Sequence, residues 1–259
     1  MQLDSKQQIF LHDEHEYHYS FQDIDGYRIG FFISRNKEKT FQENEDTLFI
    51  QKNEQELIFG VADGAGGHPR GRDAAFLIGN ELISTDRTDH VYHIDDLNKK
   101  IIDLKVGAKS TLAFAAIKED LIRFYTVGDS EIIYWNGHGN EIFTSTPHSN
   151  SGLKVRAGIT SQTDSLDDPD RYLVNNLMGD EFIRIESTSG VPIKKGHTIL
   201  IGSDGLFDNI SHEDLTEIVG RGSFDKSFQG LVDLCIEQDP ERWLKNDDIT
   251  FIFLRKIKA

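Results

Sequence analysis

The sequence predicts an α+β fold, a β-sandwich of two antiparallel sheets flanked by helices on both outer faces. Two observations predict it. Short segments rich in β-branched and aromatic residues cluster toward both ends of the chain, with helical patterns between them. The central segments are joined by tight turns at Lys118-Glu119-Asp120 and Gly128-Asp129-Ser130, rather than by the helical crossovers of a βαβ repeat. The length, 259 residues, is at the upper end of what one such domain holds.

The elements follow in order. Residues 1–25 are polar and rich in His, Asp and Glu; they read as a solvated leader or an edge strand, and residues 26–259 as the folded domain. His12, His15 and His18 invite a metal reading, but the residues between them give no ligand-supporting frame. Strands are expected at 26–34, 46–51 and 56–63. A helix follows at 71–84, where Ala74, Ala75, Ile78 and Leu82 fall at helical spacing, and a second at 95–104. Strands return at 110–117, 121–129 and 131–137. Residues 144–180 are polar and irregular, with a helix expected at 170–179, and read as a mobile flap beside the site. A strand at 197–204 precedes a helix opened by Ser211, with Asp214 as its capping partner. A helix at 224–238 and a strand at 247–257 come last.

Composition excludes several functions. Lys and Arg number 28 against 44 Asp and Glu, a net charge of −16, which repels nucleic acid and anionic membrane and attracts cations. The single cysteine, Cys235, rules out an intrachain disulfide and a Cys-rich zinc site. A cysteine-dependent phosphatase needs Arg six positions after its Cys; Glu241 stands there, and Cys235 shares an apolar helix stripe with Leu231 and Leu234. Asp23-Ile24-Asp25-Gly26 reads as a turn, because the remaining ligand positions of a calcium loop are missing. No glycine-rich loop ends in Gly-Lys-Ser/Thr, so a P-loop is excluded. No basic start precedes an apolar run and no apolar stretch approaches a membrane span, so a cytoplasmic address is expected; a monomer is expected as well.

Three apolar strands end in an aspartate followed by a small residue: Asp63-Gly64, Asp129-Ser130 and Asp204-Gly205. Asp46 opens one strand and Asp247 another. Taken singly, each is ordinary turn chemistry. Taken together, they place several carboxylates at rigid strand ends, where a hard divalent cation is their natural neutraliser.

The segments VADGAGGH (61–68), STLAF (110–114), VGDS (127–130), GSDGLFDNIS (202–211) and DDIT (247–250) resemble, in order, the motifs of the metal-dependent protein serine/threonine phosphatases, the PPM or type 2C family. NED (44–46) is similar to the family's opening acidic motif, and PHS (147–149) with DPDRYLVNNLMG (168–179) to the segment after the central hairpins. The resemblance runs from about residue 26 to the end and is to bacterial-like members made of one domain. It implies hydrolysis of phosphoserine and phosphothreonine in protein substrates by a water activated between two metal ions, Mg or Mn, with a third, weaker ion. Asp63 and Asp204 are the implied catalytic residues. Asp63 would bridge two ions beside the Gly64 carbonyl, Asp204 and Asp247 would complete the first, Asp46 would serve the second, and Asp129 with Asp204 the third.

The chain departs from the family at Phe41, where an arginine usually binds the substrate phosphate. Lys39, on the same strand face, is the expected substitute, with Arg35 further back. Ala65 stands where some members carry a histidine, and His68 is the candidate general acid. Lys109 replaces a common glycine before Ser-Thr. The rival reading is a phosphatase-shaped protein that binds phosphoproteins or a regulator with little or no turnover; Phe41 favours it, and the full acidic set speaks against it.

Overall fold

The computed structural model describes residues 7–12, 16–38, 43–219, 222–238 and 243–258. Within them the chain forms β1 (Gln7–Leu11) and β2 (Tyr17–Ile24), then turns at Asp25-Gly26, both at positive φ, into β3 (Tyr27–Ser34). Asp-Gly favours that two-residue hairpin geometry. β4 (Asp46–Lys52) and β5 (Leu57–Asp63) make the next hairpin, followed by α1 (Gly71–Ser84) and α2 (His90–Asp103). β6 (Leu112–Lys118), β7 (Leu121–Val127), β8 (Glu131–Trp135) and β9 (Glu141–Thr144) follow through short turns. Two short helices, α3 (Asn150–Arg156) and α4 (Gln162–Ser165), precede the two-residue strands β10 (Glu186–Ser187) and β11 (Val191–Pro192). β12 (Thr198–Gly202) leads into α5 (Asp204–Phe207); α6 (His212–Val219), α7 (Phe224–Glu237) and β13 (Ile249–Lys256) come after it.

One sheet is ordered β1-β4-β5-β6-β7, with β10 and β11 both on the outer side of β7; the other is β2-β3-β13-β12-β8-β9. Neighbouring strands are antiparallel throughout both. The two-residue side-chain period sorts each central strand into two faces. In β5, Leu57, Phe59 and Val61 enter the core between the sheets, while Ile58 and Ala62 pack under α1 and α2. In β13, Ile252 and Leu254 enter that same core, while Phe251 and Phe253 pack under α6 and α7. The result is the expected sandwich with helices on both outer faces.

The helix at 71–84 forms as expected, burying Ala74, Ala75, Ile78 and Leu82. Ser211 caps α6: its Oγ accepts the Asp214 N–H at 3.1 Å and donates to the Asp214 carboxylate at 2.8 Å. Helix α2 starts at His90, five residues before the expected start, because His90 and His93 extend its buried face with polar side chains that a hydrophobic pattern does not register. The helix expected at 170–179 is absent. Its backbone is engaged elsewhere: the Leu173 carbonyl accepts Asn150 N–H, Asn175 N–H goes to the His148 carbonyl, and Met178 bridges Ser110. His12 approaches the Thr47 hydroxyl at 2.9 Å and His18 stacks on Phe31, while His15 lies outside the described residues. No helix among the described residues is long and apolar enough to cross a membrane.

Candidate active site

Strand register gathers the aspartates at one end of the sandwich. Asp46 and Asp63 stand opposite each other in the β4–β5 pair. β12 lies between β13 and β8, so Asp204 just past β12, Asp247 just before β13 and Asp129 just before β8 come to the same end. Asp63, Asp129, Asp204 and Asp247 line an open cleft of about 1140 Å³. Asp46 lies sealed beneath it, 1% exposed. Ser203 joins the two sheets there: its Oγ donates to Asp46 Oδ2 at 2.9 Å and accepts the Thr250 N–H at 3.0 Å.

The remaining motif residues hold these aspartates in place. Ser110 Oγ donates to the Asp63 carbonyl at 2.8 Å, Thr111 Oγ1 accepts the Asp63 N–H at 3.1 Å, and Ser130 Oγ lies 2.6 Å from Thr111 Oγ1. His148 is fully buried, and its Nδ1 accepts the Gly128 N–H at 3.0 Å, fixing the turn that carries Asp129. Burial, and then the nearby Arg184, hold the His148 imidazole down to about 4. Gly64 is required by close approach: a Cβ there would lie 2.5 Å from the Gly71 carbonyl carbon. Gly205 likewise admits the Asp248 carbonyl, which a Cβ would meet at 1.9 Å.

The cluster is electrostatically strained. Burial first, and then the charges of Asp46, Asp204, Asp247 and Asp129, push the Asp63 carboxyl well above the usual carboxylate range. Burial and the neighbouring Asp248 raise Asp46 to about 8, and burial with Asp204 raises Asp129. Asp208, one helical turn after Asp204, is raised to about 7 by burial and Asp204.

The Lys245 ammonium is the internal counter-ion. It pairs with Asp204, with Asp247 at 3.0 Å and with Asp208 at 3.3 Å, and lies 5.2 Å from the Tyr172 ring centre. Burial works against its charge, but Asp204, Asp247 and Asp208 more than offset this, and its pKa lies above the ordinary lysine value. Asn209 holds the Lys245 backbone, accepting its N–H at 2.8 Å and donating to its carbonyl at 2.9 Å. No three carboxylate, imidazole or thiol side chains among the described residues are gathered closely enough to hold one ion. The donor set nevertheless fits divalent metal: its side-chain donors are hard carboxylates, and their mutual repulsion exceeds what one ammonium neutralises.

His68 is exposed at the rim of the cleft, its N–H on the Ala65 carbonyl. Lys39 and Phe41 lie outside the described residues. The Lys109 ammonium pairs with Asp180, while its carbonyl accepts the Ala65 N–H. Several neighbours went unread in the sequence. Asp248, beside Asp247, accepts the N–H groups of Asn36 at 2.7 Å and Glu45 at 2.8 Å, and its adjacency was a usable signal. Asp208 lay within GSDGLFDNIS without being singled out, and Lys245 and the cleft-lining pair Arg72 and Glu43 gave no signal.

No family model matches the chain. A protein phosphatase 2C-type protein of Streptococcus pyogenes is 28% identical over 194 residues, covering 68% of this chain and 78% of its own length. The serine/threonine phosphatase stp of Listeria monocytogenes is 26% identical over 213 residues, covering 73% and 81%. Among solved structures, the serine/threonine phosphatase Stp1 of Staphylococcus aureus superposes with a TM-score of 0.74 at 21% identity, covering 89% of this chain and 95% of that one. The catalytic domain of the serine/threonine protein phosphatase PstP, in complex with two manganese ions, superposes with a TM-score of 0.70 at 19% identity, covering 90% and 99%. Fold, ordered motifs and sequence relatives point the same way: the chain is similar in sequence to serine/threonine phosphatases of the type 2C kind and shares the fold of bacterial serine/threonine phosphatases.

Proposed function

We propose that the aspartate-lined cleft is the active site through which this chain hydrolyses phosphoserine and phosphothreonine in proteins. The observation that carries this reading is the convergence of Asp46, Asp63, Asp204, Asp247 and Asp129, from both sheets, at one end of the sandwich. Asp63 is our candidate to serve two ions, with the Gly64 carbonyl as a further ligand; Asp204 and Asp247 would complete the first, Asp46 would serve the second, and Asp129 with Asp204 a third, weaker one. The two manganese ions of the PstP structure support Mg or Mn at this position. Bound there, the ions supply an acidified water and offset the charge of the phosphoryl group.

The chain's own groups do the positioning. Ser110 and Thr111 grip the Asp63 backbone, and Ser203 orients the Asp46 carboxylate. His68, exposed at the rim, is our candidate to hand a proton to the departing serine or threonine oxygen. Tyr172 and Leu173 present half-exposed apolar surface beside the cleft, suited to the polypeptide around the phosphate. A cytoplasmic monomer is the form we propose; the lone buried Cys235 requires no oxidising compartment.

Hydrolysis of p-nitrophenyl phosphate and of a phosphothreonine peptide tests the reading. Both activities should disappear with EDTA and return with excess Mn²⁺ or Mg²⁺. Activity that survives thorough chelation would refute it.

A further inference from the structure

The cleft is anionic, yet its substrate brings a phosphate dianion. Among the described residues lining it, the permanently charged cations are Arg72 and Lys245. Lys245 is 15% exposed and committed to Asp204, Asp208 and Asp247. Arg72 is placed differently. It stands in the first turn of α1, where Gly71 presses against Gly64; a Cβ on Gly64 would lie 2.7 Å from the Arg72 backbone nitrogen. That contact anchors Arg72 against the residue that follows Asp63. Its guanidinium is paired at the cleft wall with Glu43, the two side chains 27% and 52% exposed.

An ion pair this open to water is weak and readily exchanged. A phosphate dianion offers more acceptor oxygens and twice the charge of one carboxylate, and a guanidinium meets it with two parallel N–H groups. We propose that Arg72 grips the phosphate of the incoming phosphoserine or phosphothreonine, and that Glu43 is a resting partner, exchanged when substrate binds. The inference rests on reading the cleft as a phosphatase site. It places the missing clamp on α1 rather than on the segment that carries Phe41.

Steady-state kinetics with p-nitrophenyl phosphate at saturating Mn²⁺, together with inhibition by inorganic phosphate, test it. Arg72→Ala should raise KM and the phosphate inhibition constant together, about tenfold, with a smaller effect on kcat. Arg72→Lys should recover part of the loss, since it keeps the charge without the fork. Glu43→Gln should lower both constants about two- to threefold by removing the carboxylate that competes with phosphate for the guanidinium. That gain cannot come from misfolding, so it decides the matter if Arg72→Ala fails to fold. If wild type turns over but Arg72→Ala leaves both constants unchanged, or Lys39→Ala carries the whole loss, the assignment of Arg72 is overturned and the phosphatase reading stands. Glu43→Gln that leaves both constants unchanged or raises them also overturns it. A wild type without metal-dependent turnover overturns both.

Discussion

Replacing Lys245 with Met removes the internal counter-ion while keeping the length and much of the packing of the side chain. Lys245 is 15% exposed and faces Asp204, Asp208 and Asp247, the last two at 3.3 and 3.0 Å. Breaking a buried ion pair by deleting one partner costs about 3–5 kcal/mol, because the other charges stay buried and uncompensated. Taking about 3 kcal/mol for this partly solvated cluster, metal-free Lys245→Met should melt roughly 6–12 °C below metal-free wild type. Bound metal supplies the missing charge, so the deficit should shrink or vanish with saturating Mn²⁺. The same free energy must appear in binding, since wild type has to displace the ammonium to admit an ion. Mn²⁺ should therefore bind Lys245→Met up to about 150-fold more tightly, the full factor applying if the deficit vanishes. Thermal melts in EDTA and in Mn²⁺, with calorimetric titration of Mn²⁺, measure both halves of the cycle. Equal melting temperatures in EDTA, or unchanged or weaker Mn²⁺ affinity in the variant, would refute the idea that lysine and metal compete for one charge centre.

Three further outcomes are expected. Asp63→Asn should abolish both tight Mn²⁺ binding and turnover, whereas Asp129→Ala should keep the tight metal and lose most turnover; calorimetry beside the phosphatase assay distinguishes the two. His148 titrates near 4 in the fold against an ordinary 6.5, so below 6.5 the unfolded chain binds a proton that the native one does not. Stability from this group is full above pH 6.5 and is lost as pH falls toward 4, and urea melts of His148→Gln should show a shallower slope over that window. Tyr172→Ser with Leu173→Ser should lower kcat/KM on a phosphoprotein several-fold more than on p-nitrophenyl phosphate, because only the former covers that surface; equal losses on both substrates would show that the pair acts on the chemistry instead.

The layers of the fold and the identity of its acidic residues were legible because both depend on local pattern. The alternation of Leu57, Phe59 and Val61 with Ile58 and Ala62 requires a strand buried on two faces, and the helical spacing of Ala74, Ile78 and Leu82 requires a helix above it. Aspartates at the ends of such strands had to lie at the ends of the sandwich. Ser211 and Asp214 announced their own helix start by their spacing. Local pattern failed at 170–179, where Leu173, Asn175 and Met178 give their backbone groups to His148, Asn150 and Ser110 instead of to one another. It failed again at His90 and His93, whose burial on α2 is decided by packing and not by polarity.

Only the tertiary structure decided which charges meet. Lys245 reaches Asp204, 41 residues earlier in the chain, because the antiparallel pairing of β12 and β13 brings the segment before β13 over the start of α5. Arg72 reaches Glu43, 29 residues away, because Gly64 and Gly71 allow two backbones to touch. Ion pairs of this kind leave no periodic trace in a sequence. Their partners are fixed by strand order and close backbone approach, and a charge tolerated anywhere on the surface becomes a counter-ion only where the fold buries it among opposite charges.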